Sequence, residues 1–216
     1  MKTLNNRKLS RTFALAILAL GVISSGARAE DLSAQQIISG LKAPRTRSLA
    51  ASSAPAPLSP QDAAFLNRVR TTRSLSSADR DQIEQIAQQR PSVDVEVYFN
   101  YDSAALTPQA EPQLNNLGKA LTSPDLAGSV VMLGGHTDAK GTDDYNQGLS
   151  DRRAATVKKF LVDNYHVPAD NLISTGYGKR ELKNAADPFA AENRRVQIVN
   201  MASNAQVGTT DSQASK

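Results

Sequence analysis

Two side chains of opposite charge stand where a ligand could be gripped. Arg153 follows Leu149 by four residues and precedes Val157 by four, so helical spacing places it inside an apolar stripe. An arginine there can bury its stem, but its guanidinium needs a partner or a route to solvent. Asp138 closes Gly134-Gly135-His136-Thr137-Asp138, a turn that follows the apolar run Ser129-Val130-Val131-Met132-Leu133. Ligands of open α/β sheets favour the crevice beyond the carboxyl ends of the strands. A guanidinium takes a carboxylate through two parallel hydrogen bonds, and an aspartate takes an ammonium. The pair therefore suits a zwitterionic head group. The same side chains could instead form an internal ion pair that only orders the loop, and spacing alone leaves both readings open.

Other chemistries find little support. There are two histidines, His136 and His166, and no cysteine. No Gly-x-Ser-x-Gly elbow precedes a helix, and no thiol is present to act as a nucleophile. His136 with Asp138 falls short of the three or four spaced ligands a metal needs. His136 reads as a turn residue beside the pocket, and His166, before Val167-Pro168, as an exposed helix end. The chain is expected not to be an enzyme and to need no cofactor or metal.

The elements that must position the pair follow from periodicity. Val93, Val95, Val97 and Phe99 alternate with Asp94, Glu96 and Tyr98, the pattern of a half-buried strand. Thr107-Pro108 opens a helix with Ala110, Leu114, Leu117 and Leu121 on one face. Ser129 to Leu133 is a second, largely buried strand. A long helix is predicted from about Asp144 to Asn164, with Leu149, Val157, Phe160 and Leu161 as its core stripe and Pro168 barring extension. Leu172 to Tyr177 is a third strand, Asp187-Pro188 opens a short helix, and Arg195 to Met201 is a last strand with Val196 and Ile198 on one face. Alternating strands and helices predict an α/β sandwich: a mixed sheet of about four strands with helices packed on it, spanning residues 92–202.

The rest of the chain has a different character. Residues 1–29 join a basic start (Lys2, Arg7, Lys8, Arg11) to an apolar run, Phe13 to Ile23, and an Ala27-Arg28-Ala29 end, which is the pattern of a cleaved secretory signal peptide. The run is short of the roughly 20 apolar residues that span a bilayer. No integral membrane segment is expected after cleavage. The whole sequence has a net charge of +4, but residues 30–216 hold 20 basic and 21 acidic residues. That balance gives no support to nucleic-acid binding. Without cysteine, neither a disulfide framework nor a lipidated cysteine is expected. Residues 30–91 read as a largely disordered tether in which short helices can form, including one from about Ala78 to Gln89 capped by Ser77. Arg45-Thr46-Arg47-Ser48-Leu49 and Arg70-Thr71-Thr72-Arg73-Ser74-Leu75 nearly repeat, either as a docking element or as a coincidence of composition. Residues 203–216 read as a disordered tail.

Four ordered motifs resemble the OmpA-like peptidoglycan-binding domain family over about residues 93–201. Asn146 to Leu161 fits N-x2-L-S-x2-R-A-x2-V-x3-L without a mismatch. Gly135-His136-Thr137-Asp138 with Gly141 is similar to the family's turn, Asn193-Arg194-Arg195-Val196 to its closing motif, and Tyr98-Phe99-Asn100 with Leu106-Thr107-Pro108 to its opening. The resemblance implies the OmpA-like fold. It also implies a site in which Asp138 and Arg153 hold the diaminopimelate of the peptidoglycan stem peptide. Asn146 and Thr137 then lie in the surrounding pocket, and Arg195 is a further member or a support. It implies a location in the periplasm of a Gram-negative bacterium, at the cell wall or outer membrane. An envelope protein could be a partner through residues 30–91. A module that recruits such a partner without binding the wall is the alternative.

Overall fold

Val130-Val131-Met132-Leu133 is apolar at every position, so the strand it forms needs cover on both faces. The computed structural model, which describes residues 31–42, 57–72, 74–100 and 102–203, supplies that cover. Four strands, β1 (Ser92–Val95), β2 (Ser129–His136), β3 (Leu172–Gly178) and β4 (Val196–Ser203), form a mixed sheet in the order β1-β4-β2-β3. β2 and β3 are parallel, whereas β4 runs antiparallel to β1 and β2. The helices are α1 (Ala34–Lys42), α2 (Pro60–Arg70), α3 (Ser77–Ala87), α4 (Glu111–Leu121) and α5 (Asp143–Tyr165). The expected α/β sandwich on a four-stranded mixed sheet is what forms.

Strand alternation divides the core in two. Val131, Leu133, Val196 and Ile198 pack with Leu114, Leu117, Val157 and Leu161 of α4 and α5, and with Ile37 and Leu41 of α1. Val130, Met132, Val199 and Met201 point the other way, onto Phe65, Leu66, Val69, Ile83 and Ile86 of α2 and α3. Each fully buried leucine or isoleucine contributes roughly 1.5–3 kcal/mol relative to exposure.

This second layer corrects the expectation of a tether that ends near Ser92. Over the described part of residues 30–91 the chain forms three packed helices, and Ile37, Leu41, Leu66 and Ile83 are fully buried. The apolar faces are short and lie among polar residues, so composition hid them. Their ends are well capped. Ser59 Oγ accepts from the Asp62 N–H, with Pro60 at the first helical position. Ser76, rather than Ser77, caps α3, because it forms a reciprocal box with Asp79.

Other boundaries shift modestly. β2 continues through His136, and β4 runs past Met201 through Ser203, which is therefore not part of a tail. Asp187-Pro188 makes a turn closed by the Ala190 N–H on the Asp187 carbonyl, not a helix. Phe160 is only partly buried, against Tyr165. His166 ends α5 in the left-handed conformation and is exposed. The expected signal peptide, the Arg45–Leu49 copy of the repeat, Arg73 and the tail beyond Ser203 lie outside the described residues.

Two glycines set how closely α5 approaches the sheet. A Cβ at Gly135 would collide with the Ser150 carbonyl, and one at Gly176 with the Asp151 N–H and Ser150 Oγ. The closeness lets α5 close the free edge of β3. Lys158 Nζ donates to the Leu172 carbonyl at 2.6 Å, Gln147 Nε2 donates to the Gly176 carbonyl at 2.7 Å, and Asp151 accepts from the Gly176 N–H at 2.7 Å. Satisfied edge groups discourage pairing with another chain.

Candidate ligand-binding site

The carboxyl end of β2 delivers Thr137 and Asp138, and the first turns of α5 deliver Asn146, Leu149 and Arg153 on one face. These residues line a cleft of about 910 Å³. The connecting loop is pinned at both ends and in its middle. The Thr137 N–H donates to the Gly178 carbonyl at 2.8 Å, the Ala139 N–H to Pro188 at 2.9 Å, and Asn146 Nδ2 to Lys140 at 2.9 Å. Gly141 takes φ +96, a conformation open to glycine, and Thr142 caps α5 through the Tyr145 N–H.

Arg153 is 8% exposed, with its guanidinium carbon 4.9 Å from the centre of the Phe99 ring and its Nε donating to the Ser103 carbonyl at 3.1 Å. Burial lowers its pKa from the ordinary guanidinium range, so an anion arriving there relieves an electrostatic cost. Among the described residues no carboxylate lies within ion-pair distance of it. Asp138 also lines the cleft. Its Oδ2 accepts from Arg194 Nη1 at 2.8 Å and its Oδ1 from the Lys140 N–H at 3.1 Å. Of the two readings left open by spacing, the internal Asp138–Arg153 ion pair is therefore not what forms. The two charges sit in one cleft, each held by other groups.

Four of the expected site residues, Thr137, Asp138, Asn146 and Arg153, come together here. Arg195 does not. Its Nε donates to Asp94 at 3.2 Å and its Nη1 to the Glu181 carbonyl at 3.3 Å, away from the cleft lining. Arg194 lines the cleft in its place. The strand parity of the sequence carried that signal, since Arg194 keeps step with Val196 and Ile198 on the α5 face. Phe99, Tyr145 and Phe189 also line the cleft and were not anticipated as site residues. Phe99 read as a strand residue only.

His136 is 1% exposed and stacks on Tyr177 with ring centroids 5.3 Å apart, so it is a core residue and not part of an open turn. Burial, with Arg195 nearby, depresses its pKa to about 3 and keeps the ring neutral. The described residues contain no cluster of three or more His, Cys, Asp or Glu able to hold a metal. No helix among them is long and apolar enough to cross a membrane.

The cleft at the carboxyl end of the sheet sets a cation, Arg153, and an anion, Asp138, in one lining. Residues 98–196 match the model of the OmpA family. Among curated relatives, the peptidoglycan-associated lipoprotein of Pseudomonas aeruginosa is 38% identical over 102 residues, covering 47% of this chain and 59% of that protein. Outer membrane protein A of Escherichia coli O157:H7 is 42% identical over 85 residues, 39% of this chain and 24% of the other. The chain thus spans less than two thirds of the length of these relatives. Among solved structures, the cell wall anchor of the T6SS from Pseudomonas aeruginosa aligns with a TM-score of 0.43 at 25% identity, covering 57% of this chain and 93% of that one.

Proposed function

We propose that this chain binds peptidoglycan non-covalently, in the periplasm of a Gram-negative envelope, by holding the diaminopimelate of the stem peptide. Diaminopimelate carries a carboxylate and an ammonium on one carbon. Arg153 is the partner for the carboxylate, through parallel hydrogen bonds from its guanidinium fork, and Asp138 for the ammonium. Asn146 and Thr137 shape the wall of the pocket between them. What supports this reading is the state of Arg153. Phe99 and Ser103 hold it in an open cleft, yet no carboxylate of the described chain neutralises it. Arg195 acts as a support on the far side of the sheet. The activity is binding, and no bond is made or broken. Recruitment of an envelope partner through residues 30–91 is less favoured, because the described apolar side chains there already pack on the sheet.

Co-sedimentation with purified sacculi tests the function. The wild-type chain is expected in the pellet, and Arg153→Ala and Asp138→Ala in the supernatant. Truncating one partner of a desolvated charged contact costs about 2–5 kcal/mol. Folded variants that pellet like wild type would place the site elsewhere.

A further inference from the structure

Three large apolar side chains are exposed among the described residues, and two of them stand at the cleft. Tyr145 (41% exposed) and Phe189 (63%) line it together with the partly buried Phe99. Single exposed apolar residues are common on protein surfaces and need no explanation, but a cluster of them at a ligand cleft does.

Phe189 is not exposed through slackness of its loop. Its own N–H donates to Asp187 Oδ1 at 3.2 Å, and the preceding Pro188 carbonyl accepts from Ala139 in the site loop at 2.9 Å. Fully buried Asn193 donates to the Asp187 carbonyl at 3.0 Å from beneath. The turn is braced so that the ring stands in water beside Asp138. Tyr145 is fixed as well, with its hydroxyl donating to the Asp102 carboxylate. The cleft, at about 910 Å³, is near the top of the range of ~300–1,000 Å³ usual for small-ligand pockets. One amino-acid head group leaves much of it empty.

We propose that Phe189, with Tyr145, forms a carbohydrate-stacking subsite that takes the amino-sugar unit bearing the stem peptide. This rests on the peptide reading above and extends it to the glycan. A pyranose presents a face of C–H groups that packs on an aromatic ring, while its hydroxyls and amide stay in water. Rigid aromatic faces at the mouth of a charged pocket suit a ligand with a zwitterionic end and a sugar end.

Calorimetric titration of the full chain separates the two parts. One ligand is a free stem tetrapeptide containing diaminopimelate; the other is the same peptide on its GlcNAc–MurNAc disaccharide. The disaccharide form is expected to bind roughly threefold to tenfold more tightly, the range set by one or two aromatic contacts. Phe189→Ala removes that gain, so that the two ligands bind with equal affinity, and Phe189→Tyr restores it. A Phe189→Ala chain that keeps the full gain, or that loses affinity for both ligands alike, overturns the subsite. So does a wild-type chain that binds both ligands equally. A wild-type chain that binds neither overturns the peptide reading itself.

Discussion

Arg194 and Asp138 are joined across the cleft, with Arg194 Nη1 donating to Asp138 Oδ2 at 2.8 Å. The adjacent Arg195 reaches in another direction, to Asp94 at 3.2 Å. Extended backbone sends successive side chains to opposite faces, so one dipeptide serves the site and the scaffold separately.

The two arginines should therefore give opposite phenotypes. Arg194 is half exposed, and its ion pair contributes less than about 1 kcal/mol to stability. Arg194→Ala should leave urea unfolding nearly unchanged while weakening sacculus binding several-fold, because Asp138 loses its orientation. Arg195→Ala should cost about 1–3 kcal/mol of stability, with a smaller effect on binding once folded protein is compared.

Arg153→Lys separates charge from geometry. The ammonium keeps the positive charge but lacks the planar fork that meets a carboxylate in two parallel bonds. Affinity for the stem peptide is expected to fall about tenfold or more, about 1.4 kcal/mol or beyond. Calorimetry showing equal affinity for the two variants would mean that Arg153 acts only as a point charge.

Glu84 should make stability fall as pH rises from 4.5 through 7. The Glu84 carboxyl is held up at about pH 7, from an ordinary 4.5, first by its hydrogen bond with Glu181 and then by burial. The folded chain thus keeps a proton that the unfolded chain gives up. The contribution is fully present below pH 4.5 and is lost as pH rises through 7. His136 works in the reverse sense: its stabilisation is complete above pH 6.5 and is lost in acid. The His136 slope is common to wild type and Glu84→Gln, so the difference between them isolates Glu84. The urea midpoint of wild type should fall relative to that of Glu84→Gln as pH rises from about 4.5 to about 8, and a constant difference would remove Glu84 as the cause.

The α2–α3 layer should behave as core. Ile83→Ala removes a fully buried side chain between α3 and the sheet, and should destabilise by about 2–5 kcal/mol. Limited proteolysis should leave Pro60–Ala87 in the protected fragment. A protected fragment beginning near Ser92 would show that this layer detaches readily.

Much of the domain could be read from the residues alone, because its signals are local. Alternation at Val93–Val95, the stripe Leu149-Val157-Leu161 and the Pro168 stop follow from the period of strand and helix, which neighbours in sequence set by themselves. The expected continuation of that strand to Phe99 does not form, and Phe99 makes only an isolated bridge with Leu106. Asp138 and Arg153 were legible for the same reason, each by its position against a strand end or a helical stripe. Who touches whom was not. Only the folded chain pairs Asp138 with Arg194, sends Arg195 to Asp94 and lays α2 and α3 over Met132 and Val199. These contacts join residues far apart in sequence, and their energy comes from desolvation and packing that exist only once the sheet has both its layers. The double-sided apolar run at Val130–Leu133 announced that a second layer was needed. Which segment would supply it was decided by tertiary packing.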